Sequence, residues 1–281
     1  MNSKHDLIKD ETLFYFNEKF PNIAISLKDC LDRNLLVSPD GNQELHFISS
    51  TTLGDGKQTY EMRFGCPLLY PTAVTSNWHE GQIPLTYSNN SLTQYVLLSQ
   101  IKQFGEINAP GDSVPYLKHS WRFKTFCQEL SGLILDVGCD TPSRSRQLLP
   151  RSCQYLGLDP YAGQGEFRII GLGEILPIKD RTVDAVLFNT SLDHILDYHT
   201  AIEEAWRVLK PGGSIIIATY AWLERATLLT DAVHFHHFRE YEILGSLQER
   251  FQIENIRRYE DPKHASHRYG LYVQGVKGQD Q

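Results

Sequence analysis

The stretch Leu133-Ile134-Leu135-Asp136-Val137-Gly138-Cys139-Asp140-Thr141-Pro142 decides how this chain is read. It opens as an apolar run without charge until Asp136, then breaks into small and turn-forming residues. An apolar run of that kind, closed by glycine and proline, predicts a buried strand entering a tight loop. In open α/β sheets, ligands bind at such loops, beyond the carboxyl ends of the strands. Tyr155-Leu156-Gly157-Leu158-Asp159-Pro160 follows as a second strand that ends in an acid. A glycine-containing loop after one strand and a carboxylate at the tip of the next form an arrangement that holds a nucleoside. The loop backbone lies against the ligand, and the carboxylate accepts from ribose hydroxyls.

Downstream of residue 131, strand and helix patterns alternate, which is the mark of a parallel sheet. Strands are expected at 133–137, 154–158, 167–170, 184–188 and 214–219. A helix is expected at 200–209, with Ile202, Ala205, Trp206 and Leu209 inward and Glu203, Glu204 and Arg207 outward. Lys210-Pro211-Gly212-Gly213 stops it. A second helix is expected at 239–251, burying Tyr241, Leu244, Leu247 and Phe251. Residues 252–258 and the alternating Tyr269–Val273 run are expected to close the sheet as an antiparallel pair.

Upstream, residues 1–34 read as helical, with Ile23, Leu27 and Leu31 on helical spacing. Residues 35–75 read as a small β-rich module. In it, Ser38-Pro39-Asp40-Gly41 and Gly54-Asp55-Gly56 are turns, and Glu44–Ile48 and Tyr60–Phe64 are strands. A helix from Ser91 to Gly105 and a linker at 108–112 follow, then a helix containing Leu117, Trp121, Phe126 and Leu130 feeds the first strand of the sheet. The expected division is 1–116 for the helical and β module with its linker, and 117–281 for the α/β domain.

The chain has 281 residues, 41% of them apolar, enough for a substantial core. Its net charge of −7 argues against a general nucleic-acid-binding surface, and the local group Arg144, Arg146 and Arg151 reads as a solvated face. There are 5 cysteines and no Cys-x-x-Cys, so neither a disulfide framework nor a cysteine zinc site is expected. No run has signal-peptide or membrane-span character. These features together predict a cytoplasmic protein with no membrane and no nucleic-acid partner; they leave the oligomeric state open.

Four segments in order carry a resemblance to the class I S-adenosylmethionine-dependent methyltransferases, in the branch that methylates small molecules. They are the glycine loop "LILDVGCDTP", the acid of "YLGLDP", the segment "GLGEILPIKDRTVDAV" and the helix-to-strand passage "EEAWRVLKPGGSIIIATY". Together they span roughly 131–275. The resemblance implies a Rossmann-like, doubly wound sheet of seven mostly parallel strands with an antiparallel last strand. It also implies S-adenosylmethionine as cofactor, S-adenosylhomocysteine as product and a small-molecule acceptor. By it, Asp136, Gly138, Cys139 and Asp140 line the methionine end of the cofactor. Asp159, with Pro160 behind it, binds the ribose. Leu172, Gly173 and Glu174 pass beside the adenine, and Asn189 and Thr190 end the fourth strand where cofactor and acceptor meet. The order "LLVSPDGNQEL … YEMRFGCPLLYP" also resembles the zinc-ribbon activator subunits of methyltransferases, with Ser38 and Gly41 where the first two cysteines would stand.

Three positions depart from the family. Asp140 and Pro142 replace the second and third glycines of its loop, and Leu172 stands where an acid often accepts from the adenine amino group. Asp140 either pairs with the cofactor's ammonium group or crowds the site. A catalytically degenerate cofactor-binding or partner-binding protein is therefore the alternative to an enzyme. For catalysis, the candidate base is His194, with Asp193 to orient it, because an imidazole takes up a proton near neutrality. Ser191, Tyr220, His234 and His237 are expected to line the acceptor pocket. The His234, His236 and His237 spacing also invites a metal, but without a supporting carboxylate or cysteine pattern no metal is expected. Asn189-Thr190-Ser191 replaces the Asn-Pro-Pro-Tyr type of motif that serves amino methylation. Oxygen is accordingly the expected acceptor atom.

Overall fold

A computed structural model describes residues 23–75, 121–140, 143–160, 166–224, 234–261 and 264–279. The apolar runs form the strands β5 (Gly132–Val137), β6 (Cys153–Asp159), β7 (Ile169–Ile170), β8 (Val183–Asn189), β9 (Leu209–Trp222), β10 (Phe251–Glu260) and β11 (Arg268–Lys277). They lie in one sheet in the order β10-β11-β9-β8-β5-β6-β7. Pairing is parallel from β7 through β9. β11 runs antiparallel to both neighbours, so the reversed strand is last in sequence but lies one place in from the sheet edge.

The continuous apolar runs are explained by burial on both faces. Leu133, Leu135 and Val137 of β5, with Ile215 and Ile217 of β9, enter one core layer with Ala201, Ile202, Ala205 and Val208. Ile134, Ile216 and Ala218 point the other way, to a second layer with Phe123, Phe126, Leu130, Leu148 and Leu149. The helix Tyr198–Val208 begins at Asp197, whose carboxylate accepts from the Thr200 amide at 3.1 Å. At its far end the buried Lys277 ammonium donates to the carbonyls of Trp206 and Leu209, both at 2.7 Å.

Some expected boundaries move. β9 starts at Leu209, five residues earlier than expected, so the Lys-Pro-Gly-Gly stop lies inside the strand. The helix expected at 239–251 is Glu240–Gln248. It buries Ile243 and Leu247, while Tyr241 is 64% exposed and Phe251 opens β10 instead. The closing antiparallel pair forms as expected but is longer, running from Phe251↔Lys277 to Glu260↔Tyr269. The helix of residues 1–34 is seen only as Leu27–Asp32, capped by Ser26. Residues 1–22, the expected helix from Ser91 to Gly105 and the expected linker at 108–112 lie outside the described residues.

The N-terminal module forms a second sheet in the order β1 (His46–Ser49), β2 (Thr52–Gly54), β3 (Thr59–Arg63) and β4 (Cys66–Pro67). It is joined to the large sheet by backbone hydrogen bonds. Ile25 and Tyr155 are bonded through Ile25 N–H to the Tyr155 carbonyl at 3.1 Å, beside the start of β6. Leu69 N–H donates to the Ile170 carbonyl at 2.7 Å, on the outer side of β7. Val37 and Lys179 exchange similar bonds with Pro177 and Leu35. The module thus covers the β6–β7 edge, which would otherwise present unpaired backbone groups. Its Leu35, Leu36, Leu45, Leu53 and Leu69 share the first core layer. Among the described residues no helix is long and apolar enough to cross a membrane.

Candidate functional site

The carboxyl ends of β5, β6, β8 and β9 converge on one rim of the sheet, because all four strands run parallel. On the β5–β6 side, Gly138 and Cys139 donate their amides to the Leu158 carbonyl at 2.8 and 3.1 Å, which folds the loop down onto β6. Gly138 has φ +76°, and a Cβ there would meet Ser191 Cβ at 2.4 Å. The glycine is therefore demanded by the backbone and by Ser191, which packs into the space of the missing side chain. Ser191 Oγ donates to the Val137 carbonyl at 2.5 Å, so its hydroxyl is turned into the loop.

Asp140 takes the left-handed conformation at φ +48°. Aspartate is one of the few residues besides glycine that visits this region, so it preserves a glycine-like turn. Its amide donates to Asp159 Oδ2 at 2.8 Å, tying the two expected cofactor acids into one local structure. Asp159 is buried at the tip of β6, and the Pro160 carbonyl accepts from Tyr70 of the N-terminal module. Asp136 is also buried, 1% exposed, and accepts from the Tyr155 hydroxyl at 2.7 Å through Oδ2. Its Oδ1 has no hydrogen-bond partner. Burial pushes the Asp136 carboxyl up to about 6, with the Tyr155 hydrogen bond acting in the opposite sense.

Leu172 is fully buried, in a cluster with Leu68, Tyr70 and Ile170. Gly173 faces Ile195, whose Cδ1 lies 2.8 Å from the position of a Cβ. Glu174 has a role that the sequence motif does not announce. Its Oε1 accepts the amides of Leu196 and Asp197 at 3.1 and 3.3 Å, fixing the loop after β8. Burial raises its pKa.

On the β8–β9 side, Asn189 ends β8 and donates to Ser145 Oγ at 3.3 Å. Thr190, at φ +56°, turns the chain, and its amide bonds the Ala218 carbonyl at 2.7 Å. The single turn Leu192–His194 follows. The amides of Phe235 and His236 donate to the Asp193 carbonyl at 2.9 and 3.2 Å, and His236 Nε2 meets the Ile195 and Leu196 carbonyls at 2.9 and 3.1 Å. This stitching brings His234 onto the Asp193–His194 turn. His234 Nε2 lies 3.8 Å from Asp193 Oδ2, and the His194 and His234 rings are 4.6 Å apart. His237 lies 5.6 Å from His234 and 4.9 Å from Trp222, centroid to centroid. The Arg268 guanidinium stacks over Tyr220 at 4.0 Å and is paired with Asp261 at 2.9 Å. Among the expected site residues, the structure brings two groups together: Asp136, Gly138, Asp140 and Asp159 at one end, and Asp193, His194, His234 and His237 at the other. Glu174 and Ser191 support the loops between them. The clamps made by Glu174 and His236, and the Tyr155–Asp136 bond, carry no local sequence signal, because each links residues far apart in the chain.

A doubly wound α/β sheet with an acid-tipped second strand and a tight first loop defines a nucleoside-binding fold of the Rossmann-like class. Residues 135–217 match the family of methyltransferase domains. A ubiquinone/menaquinone biosynthesis C-methyltransferase of Geotalea daltonii is 23% identical over 56% of this chain and 71% of its own length. The human mitochondrial ubiquinone biosynthesis O-methyltransferase is 30% identical over 31% of this chain, which spans only 28% of that relative. Among solved structures, the Burkholderia thailandensis 1,6-didemethyltoxoflavin-N1-methyltransferase superposes with a TM-score of 0.52 and 16% identity, covering 84% of this chain and all but 1% of that one. The [4+2]-cyclase SpnF gives 0.50 at 16% identity, covering 58% of this chain and 82% of its own. At that identity both likenesses speak for the fold alone. The match assigns residues 135–217 to a methyltransferase domain.

Proposed function

We propose that this protein moves a methyl group from S-adenosylmethionine to a small or medium organic acceptor, at oxygen. The observation that carries the reading is the division of one sheet rim into an acidic end and an imidazole-rich end. S-adenosylmethionine supplies a methyl group on a positively charged sulfur. The residues at the acidic end suit it: Asp136 offers a buried, unpartnered oxygen to a cation, and Asp159 stands at the strand tip where ribose hydroxyls bind. Gly138, Cys139 and Asp140 form the wall between them, and Leu172, Gly173 and Glu174 continue it towards the adenine side.

At the other end, Tyr220 and Trp222 give flat surfaces for an acceptor, and His234 and His237 give it polar edges. Methyl transfer is mostly a matter of holding the acceptor in line, and a base that takes the acceptor's proton adds to this. His194, with Asp193 beside it, is the base in this reading. Imidazoles as the polar groups at this end, with Asn189-Thr190-Ser191 at the β8 tip, support oxygen as the acceptor atom. All 5 cysteines are free and buried, which supports a reducing, cytoplasmic setting.

A second reading, a cofactor-binding protein without catalysis, draws support from Leu172, which offers adenine no side-chain acceptor. Calorimetry of the full chain with S-adenosylmethionine, followed by measurement of S-adenosylhomocysteine formed with phenols and with amines, separates the two. Binding and turnover with phenols support the enzyme. Binding without turnover favours the second reading. No heat and no thermal shift at millimolar cofactor would sink both.

The buried Asp136 also predicts a pH dependence. In the free protein its carboxyl holds a proton up to about 6. A cationic ligand beside it needs the ionised form and would depress that value. The affinity for S-adenosylmethionine is therefore expected to be level above pH 6 and to fall about tenfold per unit below it. Asp136→Asn should bind more weakly and lose this slope. A slope retained in the variant would assign the proton elsewhere. For the free protein the sign is opposite. A raised carboxyl pKa contributes stability below the unfolded value, and that contribution is lost as the pH rises through about 6.

A further inference from the structure

We propose that Asp193, His194 and His234 form a binding site for a divalent first-row transition cation at the acceptor end of the rim. Spacing alone points elsewhere, to His234 and His236 as a pair two residues apart. The fold separates that pair, because His236 Nε2 is turned onto the Ile195 and Leu196 carbonyls. It puts Asp193 and His194, forty residues upstream in the chain, in place of His236.

The donor atoms of the three residues all lie within 4.8 Å of one another, and Asp193 Oδ2 is 3.8 Å from His234 Nε2. Donors about 2.0–2.1 Å from a tetrahedral cation stand roughly 3.3 Å apart, so side-chain rotation of an ångström or so closes the set. A second observation is independent of these distances. Asp193 Oδ1 is buried and has no hydrogen-bond partner, while the whole side chain is 13% exposed. A carboxylate oxygen withdrawn from water without a partner is costly, and a cation at this place removes the cost. The backbone also holds the geometry. The amides of Phe235 and His236 are bonded to the Asp193 carbonyl, so the two ligand-bearing segments cannot drift apart.

Two imidazoles and one carboxylate suit a borderline cation such as zinc or cobalt, rather than magnesium or calcium. Three protein ligands leave a position open, as in zinc sites that act on substrates. In the methyl-transfer reading, on which this role rests, an acceptor hydroxyl takes the open position. Its O–H bond breaks and the proton passes to water; the oxygen then uses that electron pair to form the O–CH3 bond as the S–CH3 bond breaks, its electrons going to sulfur and S-adenosylhomocysteine leaving. With the cation bound, His194 is a ligand, and the cation takes over the ionisation otherwise assigned to that residue.

The test needs neither cofactor nor acceptor. The full chain is stripped with a chelator and titrated with cobalt(II), following the visible absorption bands, and zinc affinity is read by competition. The expected result is one equivalent bound with the spectrum of a tetrahedral or five-coordinate site. Asp193→Asn and His234→Asn should each weaken binding at least about tenfold, and His46→Asn, on exposed β1, should not. His234→Cys should retain binding and add a sulfur-to-cobalt absorption band. Circular dichroism confirms that each variant is folded. Absence of a bound-cobalt spectrum, affinity unchanged in both asparagine variants, or a folded His234→Cys chain that binds no better than His234→Asn would overturn the proposal. Calorimetry with S-adenosylmethionine on the same stripped chain tests the methyltransferase reading separately, so the failure of one is not mistaken for that of the other.

Discussion

Asp159→Ala is expected to weaken S-adenosylmethionine binding about 100-fold. Hydrogen bonds to a charged group contribute about 1.5 kcal/mol or more each, and two ribose hydroxyls on one carboxylate give about 3 kcal/mol, which corresponds to that factor. The effect has a second source in this protein. Asp159 Oδ2 accepts the Asp140 amide at 2.8 Å, so the alanine variant also releases the loop that forms the neighbouring wall. Asp159→Asn separates the two contributions. Its side-chain oxygen can still accept the Asp140 amide, but the charge is gone. The expected order of affinity is therefore wild type, then asparagine, then alanine, with the thermal midpoint of the asparagine variant close to wild type. Calorimetry showing the same dissociation constant for the alanine variant would remove Asp159 from the cofactor site.

The second large effect is expected from cutting away residues 1–75. This segment covers the β6–β7 edge through the Leu69–Ile170 and Ile25–Tyr155 backbone bonds, and places Leu27, Leu35, Leu36, Leu45, Leu53 and Leu69 in the main core. Without it, an unpaired sheet edge and a wide apolar face meet water. The remaining chain should aggregate on expression. Point variants give a graded version of the same result. Leu36 and Leu69 are 1% and 0% exposed, and replacing either by alanine should cost about 2–5 kcal/mol in urea denaturation. A monodisperse fragment with an unchanged unfolding midpoint would show that the module is a separate domain. The proposal here is that it is an integral part of the catalytic fold.

Much of the α/β half was legible because its strands are buried on both faces. Runs such as Leu133–Leu135 and Ile215–Ala218 leave no polar residue to water, and only a central strand tolerates that. Boundaries were less legible where tertiary pairing overrode local signals. Pro211 and Gly212 announce a stop, yet β9 runs through them from Leu209, where Val183 is its neighbour on β8. Tyr241 reads as a core residue by spacing, but the helix carrying it ends earlier and turns Ile243 inward, leaving Tyr241 in solvent.

The sequence by itself determined the acidic half of the rim. Asp136, Gly138 and Asp159 sit on two consecutive strands, and the local pattern of apolar run, glycine and terminal acid is enough to place them. Only the tertiary structure decided the other half. Asp193 and His194 follow β8, His234 follows β9, and their meeting depends on two amides bonded to the Asp193 carbonyl and on Glu174 holding the loop between. Those contacts join residues tens of positions apart. No periodicity or spacing encodes them, because they arise only when parallel strands bring their carboxyl ends to a common edge.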